Sequence, residues 1–452
     1  MSINESDTIC ALATRPGGAI AVIRTSGPKC LSIVDSVFHK PNGKPLAEVN
    51  PNTIHFGRFM DSDGNLVDEV LACVFKAPHS YTGEDSVELS CHGSTYIIDA
   101  ILRTLVARGC RMAEPGEYTK RAYLNGKMDL TQAEAVADLI ASTNKATHQM
   151  ALSQLRGHFS NELADLREQL LHVTTLMELE LDFSDHEELE FADRDELLAL
   201  VTRIDGKIMR LTHTFATGQA IKQGIPVAIV GKTNVGKSTL LNKLLHEEKA
   251  IVSEIHGTTR DVIEDTTQIH GLTFRFIDTA GIRHTDDKVE RLGIERTFQK
   301  LREATIVIWM FDTPPTEEEW HGMRERCEGK RLLPVRNKMD LSSEPTTVGV
   351  LSISAKQGTG LPELEEALYQ AADVPEVTEN DVIITNVRHY EALLRAHEAI
   401  SRVIQGMRDG LSTDLLSEHL RSCLDALAEI TGGAITPNEV LDNVFKHFCI
   451  GK

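Results

Sequence analysis

The residues Gly231-Lys232-Thr233-Asn234-Val235-Gly236-Lys237-Ser238 constrain this chain more than any other stretch. The apolar run Ile225-Pro226-Val227-Ala228-Ile229-Val230 before them reads as a short buried strand. Thr239-Leu240-Leu241-Asn242-Lys243-Leu244-Leu245 after them reads as a helix. A glycine-rich turn between a strand and a helix lets backbone N–H groups and the helix N-terminus converge on a phosphate chain. In such a loop Lys237 reaches the β- and γ-phosphate oxygens, and the Ser238 hydroxyl helps to hold Mg²⁺.

Three further motifs follow, each after a strand-like run. The alternating segment Leu272 to Ile277 leads into Asp278-Thr279-Ala280-Gly281, where an acid can bind Mg²⁺ through water and the Gly281 N–H can meet a γ-phosphate. The apolar run Ile306 to Phe311 is a third strand, and Leu332-Leu333-Pro334-Val335 leads into Asn337-Lys338-Met339-Asp340. The Asp340 carboxylate can accept from both N1–H and the exocyclic amine of guanine, a donor pair that adenine lacks, so a buried Asp340 selects GTP over ATP. Ser354-Ala355-Lys356, after the strand Val350 to Ile353, completes a guanine pocket. Four motifs at strand ends, in this order, predict a doubly wound sheet with its ligand at the carboxyl edge.

At 452 residues the chain exceeds one hydrophobic core and should hold two or three domains. A polar start running straight into a strand predicts no signal peptide, and no apolar run approaches the roughly 20 residues of a membrane span, so a cytoplasmic protein is expected. Eight cysteines without a CxxC pair argue against a zinc site or a disulfide framework. The net charge of −20 argues against a surface that coats nucleic acid; any RNA contact must be local or shared with a partner.

Pattern divides the chain into an α+β region over 1–118, a helical segment over 119–217, a nucleotide domain over 218–376 and a second helical segment over 377–452. Leu152, Leu155, Phe159, Leu163, Leu166, Leu170, Val173 and Met177 draw one apolar stripe down a long helix. Leu393 to Met407 and Leu415 to Ile430 are periodic again. The simplest arrangement is one helical domain in two segments with the nucleotide domain inserted; two separate helical pieces are the alternative.

Ile282 follows Gly281 where Ras-like enzymes carry a water-orienting glutamine, so other groups must position the water. Asn234 can coordinate a monovalent cation beside the phosphates or can be a turn residue satisfying its own backbone. Thr259, in Ser253-Glu254-Ile255-His256-Gly257-Thr258-Thr259-Arg260-Asp261, is a candidate Mg²⁺ ligand, and carbonyls near Ser253 and Ile255 could cage the same cation, a K⁺ in place of an arginine finger.

Together Thr-Asn-Val-Gly-Lys-Ser, Gly-Thr-Thr-Arg-Asp, Asp-Thr-Ala-Gly-Ile-Arg and Asn-Lys-Met-Asp resemble the bacterial GTPases of the MnmE (TrmE) type. So do Val289 to Arg296, the terminal Phe448-Cys449-Ile450-Gly451-Lys452, Ile23 to Gly27, Tyr81 to Asp85, Pro115 to Thr119 and Leu124 to Leu130, which span nearly the whole chain in order. The resemblance implies a multidomain α/β protein: a P-loop Ras-like GTPase domain inserted in an α-helical domain, preceded by an α+β folate-binding and dimerisation domain. It implies a Mg²⁺-dependent, K⁺-stimulated GTPase acting in tRNA wobble uridine (U34) C5 modification. The one-carbon unit would come from 5,10-methylene- or 5-formyl-tetrahydrofolate, and the partner would be an MnmG-type FAD- and NADH-dependent protein. A switch-type or ribosome-assembly GTPase whose N-terminal region only dimerises is the competing reading.

By the same resemblance, GTP is expected to meet Asn234, Val235, Gly236, Lys237, Ser238 and Thr239; the segment Ser253, Glu254, Ile255, His256, Gly257, Thr258 and Thr259; Asp278, Thr279, Ala280 and Gly281; and Asn337, Lys338, Asp340, Ser354, Ala355 and Lys356. Ser238 and Thr259 would bind Mg²⁺, and Asn234, Ser253, Ile255 and Thr258 would bind K⁺. Glu290, which could equally be a helix-face acid paired with Arg291 or Arg296, would help orient water, with Lys237 as the second catalytic residue. Arg24, Glu88, Lys127 and Lys452 would contact the folate, with Cys449 nearby. Taken alone, Glu88 reads as an outward strand residue between Val87 and Leu89, and Lys127 as a turn lysine. Pro16-Gly17-Gly18, Cys91-His92-Gly93-Ser94 and Ser253 depart from the family's commoner residues.

Overall fold

Alternating burial, the mark of strands covered on one face, marks β-strands within the first hundred residues of the computed structural model. The structure describes residues 7–41, 43–182, 194–246, 265–277, 302–341, 348–375, 377–378, 380–433, 441, 444–446, 448 and 450–451. The chain forms two compact units, one from residues 1–141, 154–193 and 406–452, the other from 142–153 and 194–405.

In the first unit β1 (Thr8–Leu12), β2 (Ile20–Ser26), β3 (Phe38–His39), β4 (Thr53–Met60), β5 (Leu66–Phe75), β6 (Ser86–His92) and β7 (Cys110–Met112) form one sheet, ordered β3-β4-β5-β6-β2-β1-β7. Its pairs are antiparallel except β1 with β7. Ala21, Ile23, Val70, Val74, Val87 and Leu89 line one face and share a core with α1 (Cys30–Asp35) and α2 (Thr95–Ala107). The other face carries the cross-strand pair Arg24 and Glu88. On that face Tyr118, from α3 (Glu117–Leu124), packs on Ile9 and Ala11.

The remaining helices of this unit are α4 (Leu130–Ala141), α6 (His158–Asp182) and α12 (Thr413–Thr431), the last two packed on each other through their apolar stripes. The stripe from Leu152 to Met177 is not one helix. Gly157, at φ +82°, separates α5 (Lys145–Leu155) from α6, and α5 up to Ser153 belongs to the second unit. Periodicity carries across such a break because the apolar residues on each side still have cores to fill. Leu441, Phe445 and Phe448 pack on Leu130 and Ala133.

In the second unit β8 (Ile225–Gly231), β9 (Asp265–Ile269), β10 (Leu272–Phe276), β11 (Ile306–Phe311), β12 (Arg331–Arg336) and β13 (Leu351–Ser352) are ordered β13-β12-β11-β8-β10-β9. Among the described strands of this sheet β9 and β10 pair antiparallel and the other neighbours pair parallel. β11 is buried along its whole length, as a central parallel strand must be. With α5, this unit contains α7 (Arg194–Gln223), α8 (Lys237–His246), α9 (Glu317–Arg326), α10 (Leu361–Ala372) and α11 (Val387–Arg408) as far as Gln405. From β8 the sheet extends to β10 on one side and to β11 on the other, which opens a crevice at the carboxyl end of β8.

A buried ion network fastens α3 to the first sheet. Arg121, 3% exposed, donates through Nη2 to Asp7 Oδ1 (2.6 Å) and Glu117 Oε1 (3.0 Å), and through Nη1 to Glu84 Oε1 (3.1 Å). Arg111 reaches Glu117 Oε1 at 2.6 Å and Asp7 Oδ2 at 2.7 Å. Burial pushes the Glu117 carboxyl up, but bonds from Arg111, the Glu114 N–H and Arg121 together hold it below its ordinary 4.5. Asp7 is lowered in the same balance, burial opposing and the two arginines prevailing. Folded-state values depressed in this way give stability that is complete above the ordinary carboxylate range and is lost as pH falls through it. We therefore expect the urea midpoint of the first unit to fall between about pH 5 and 3. Glu117→Gln should cost about 1.5–3 kcal/mol at pH 7 by weakening the charge-assisted bonds from Arg111 and Arg121, which keep Asp7 and Glu84, and should flatten that acid slope. Urea titrations followed by circular dichroism at pH 7 and pH 4 check both.

Candidate functional site: a nucleotide loop and an arginine–glutamate pocket

The loop after β8 is shaped by its glycines. A Cβ on Gly231 would lie 2.2 Å from the Met310 carbonyl oxygen, so the loop leaves the sheet where only glycine fits. Asn234 adopts φ +60°, a left-handed turn that asparagine tolerates better than most residues. A Cβ on Gly236, at φ +97°, would fall 2.3 Å from Asn337 Nδ2. Lys237 opens α8, and its Nζ donates to the carbonyls of Gly231 (2.8 Å) and Lys232 (2.6 Å), which folds the ammonium across the loop. Ser238 and Thr239 follow in the first turn of α8.

Asn337 closes this loop onto the base-reading motifs. Buried to 5% exposure at the end of β12, it donates from Nδ2 to the Val235 carbonyl (2.8 Å). Its Oδ1 accepts from the Ala355 N–H (2.9 Å), so one amide spans the phosphate loop and the Ser354-Ala355 turn. Lys338, at φ +67°, sends Nζ to Asp312 Oδ2 (2.7 Å), and that bond leads in holding the Asp312 carboxyl below its ordinary range. Asp340 Oδ1 accepts from Ser354 Oγ (2.8 Å). Asp340 is exposed, not buried as its selective role would require of the pocket as it stands, and Lys356 is exposed as well. A carboxylate has about four acceptor sites, so the Ser354 bond orients Asp340 and leaves capacity for two base donors.

In the other unit Arg24 and Glu88 meet. Arg24 Nε and Nη2 both reach Glu88 Oε1, at 2.8 and 2.7 Å, with the side chains 19% and 27% exposed. The guanidinium lies 5.6 Å from the ring centre of Tyr81 and 5.5 Å from that of Tyr118. Tyr118 also donates its hydroxyl to the Arg24 carbonyl (2.7 Å). Arg24 Nη1 donates to the Gly451 carbonyl (3.2 Å), which brings the last residues of the sequence to this pair. Gly451 has φ +92°, and a Cβ there would lie 2.4 Å from the Leu12 carbonyl oxygen. Lys127 is exposed and donates to the Pro78 carbonyl (2.9 Å), on the loop that carries Tyr81. The structure thus joins Arg24 to Glu88 directly and relates Lys127 to them only through that loop.

Ser253, Glu254, Ile255, His256, Gly257, Thr258, Thr259, Asp278, Thr279, Ala280, Gly281, Glu290 and Lys452 lie outside the described residues, as does Cys449. No role for Tyr81, Tyr118, Asp312 or the Gly451 carbonyl is legible from local spacing. Tyr81 lies on the loop before β6 and Tyr118 on α3, and a ring contact with an arginine on β2 leaves no local spacing to read. Among the described residues no cluster of histidine, cysteine and carboxylate side chains could hold a metal.

Two family models match the chain: the N-terminus of the GTP-binding protein TrmE over residues 8–127, and the MnmE helical domain over residues 130–449. The tRNA modification GTPase MnmE of Phocaeicola vulgatus is 53% identical over the full length of both chains. That of Bacteroides thetaiotaomicron is 54% identical, covering 99% of this chain and all of its own. That of Flavobacterium johnsoniae is 49% identical over all of both.

Asp340→Asn is expected to weaken GTP binding roughly 10- to 100-fold, the loss of hydrogen bonds to a charged acceptor worth about 1.5–3 kcal/mol. The same change should raise affinity for xanthosine triphosphate, whose O2 acceptor suits the new amide donor. Competition titration with a fluorescent guanine nucleotide reads both; unchanged GTP affinity would remove Asp340 from base recognition.

Proposed function

The chain belongs to the MnmE (TrmE) family of tRNA modification GTPases, and on that premise we propose that it hydrolyses GTP to drive C5 modification of the wobble uridine (U34) of tRNA. The observation that carries the GTPase reading is the Asn337 amide, which holds the phosphate loop and the base-reading turn at a fixed separation. Such preorganisation lets the pocket meet a nucleotide without rebuilding itself.

Mg²⁺ prefers hard oxygen ligands, and the Ser238 hydroxyl at the head of α8 is one; Thr259 supplies the second protein ligand in this reading. K⁺ would be held by Asn234, Ser253, Ile255 and Thr258, supplying positive charge where phosphate charge develops. The left-handed turn at Asn234 supports that role. Glu290 orients water and Lys237 neutralises phosphate oxygens.

The one-carbon site is proposed at Arg24 and Glu88, with Lys127 and Lys452 completing it and a tetrahydrofolate as ligand. A pterin edge of alternating donors and acceptors suits Glu88, and the glutamate tail suits a cation. The Arg24 Nη1 bond to Gly451 supports including the terminal residues in that site.

A homodimer is proposed through the same sheet face. Residues opposite one another in register share a face, and Ile54, Cys73, Glu88 and Arg24 form one such row across β4, β5, β6 and β2. Ile54 in that row and Phe56 and Leu71 in the next row of the same face are 66%, 51% and 45% exposed, an apolar surface suited to a second copy. An FAD- and NADH-dependent MnmG-type protein supplies the redox half of the reaction and shares the tRNA. No helix among the described residues is long and apolar enough to cross a membrane, consistent with the proposed cytoplasmic location. The four-part division at 118, 217 and 376 is kept as a proposal; the family models meet between residues 127 and 130, and the second spans 130–449 as one piece.

Calorimetric titration with 5-formyltetrahydrofolate should give saturable binding that Glu88→Ala and Arg24→Ala each weaken. Absence of binding to a chain that still hydrolyses GTP would favour a switch-type GTPase whose first unit only dimerises. Hydrolysis should rise sharply in K⁺ over Na⁺ at equal ionic strength, and Asn234→Ala should be slow in both salts. Equal wild-type rates in the two salts would remove the cation.

A further inference from the structure

Helix α5 lies far upstream of the phosphate loop, yet Ala146 and Met150 are part of the core of the six-stranded sheet. Its start is tied to the β9–β10 hairpin by two side chains that face each other across the strands. Thr273 and Gln268 are register partners. Asn144 Nδ2 donates to Thr273 Oγ1 (2.7 Å), and Gln268 Nε2 donates to the Thr143 carbonyl. Asn144 is 8% exposed, and its Oδ1 also accepts from the Thr147 N–H (2.8 Å), so a single amide caps α5 and grips β10. At the far end of the helix Ser153 Oγ donates to the Asp381 carbonyl (2.9 Å).

The hairpin so gripped is the stretch of chain between Ser253–Asp261 and Asp278. β10 pairs in parallel with β8, Phe274 with Ile225 and Phe276 with Val227, and the Ile277 N–H donates to the Val227 carbonyl (3.0 Å). β8 ends in the phosphate loop and β10 leads in sequence to Asp278. Any slip of β10 along β8 therefore shifts the end of β10, from which the chain runs on to the Asp278 motif, relative to Lys237 and Ser238.

We propose that Asn144 and Thr273 are positioning residues for GTP hydrolysis: their hydrogen bond, made from outside the contiguous nucleotide domain, fixes β10 against β8. The proposal rests on the GTPase reading of the loop. Thr273→Val removes the hydroxyl but keeps a branched side chain that suits a strand, and Thr273→Ser keeps the hydroxyl. In the full-length protein Thr273→Val should lower kcat roughly tenfold, the scale on which misplaced reacting groups cost rate. Its affinity for a fluorescent GTP analogue should stay within about twofold of wild type, so the loss falls on kcat rather than on binding. Thr273→Ser should hydrolyse GTP at the wild-type rate. Adding Asn144→Ala to Thr273→Val should cost no more than the larger single change, because both remove one bond. A Thr273→Val protein with normal kcat would overturn the proposal. So would a Thr273→Ser protein as slow as Thr273→Val, since that would make the methyl packing the cause. A wild-type chain that bound no GTP would instead overturn the GTPase reading itself.

Discussion

The side-chain amide of Asn337 is the interaction on which the nucleotide pocket depends. Its donor end fixes the phosphate loop at Val235 and its acceptor end fixes Ala355, both beyond the reach of solvent. No other residue type of similar size offers a donor and an acceptor in one planar group. An aspartate would lose the bond to the Val235 carbonyl and set a negative charge beside the phosphates. Gly236 is the counterpart of that amide, since any side chain there would occupy the space Asn337 Nδ2 uses. The loop glycine and the base-motif asparagine are thus one steric arrangement written in two places.

The first unit is organised differently, around charge held out of water. Arg121 draws Asp7, Glu84 and Glu117 together, which sets α3 on the sheet and brings Tyr118 over Arg24. Glu88 then finds a partner whose direction is already settled by two rings and a backbone carbonyl. Gly116, at φ +67° ahead of α3, leaves room for Phe445 and Phe448; a Cβ there would be 2.9 Å from the Phe445 carbonyl oxygen. Rigid support behind a polar pair is what a binding site needs if its ligand is to be recognised by direction as well as charge.

Much of this was legible beforehand. The strands of the second unit announce themselves as apolar runs, and the turns after them carry residues whose chemistry is specific to their position. What escaped was whatever depends on distant partners. Glu88 between Val87 and Leu89 shows that it faces away from the core, but register with Arg24 is set by the whole sheet. The stripe from Leu152 to Met177 shows an apolar face but not that Gly157 divides it, nor that the chain passes from one unit to the other just after Ser153. β4, with Gly57 among polar residues and its apolar side chains partly outward, carries too little alternation to stand out.

The seating of Gly451 also bears on how the chain is made. Arg24 and Gly451 are 427 residues apart, and Leu130 and Ala133 share their core with Leu441, Phe445 and Phe448. During synthesis the first sheet emerges before the second unit, while the segment around Gly451 that meets it emerges after that unit. Until then Tyr123, Leu130 and Ala133 lack their apolar neighbours, so the first unit must wait, partly built, through the production of the entire second unit. Contacts of such long range slow folding and lengthen the exposure of apolar surface. The ribosome and its attendant chaperones therefore hold a longer obligation to this chain than to one whose domains close in the order they are translated.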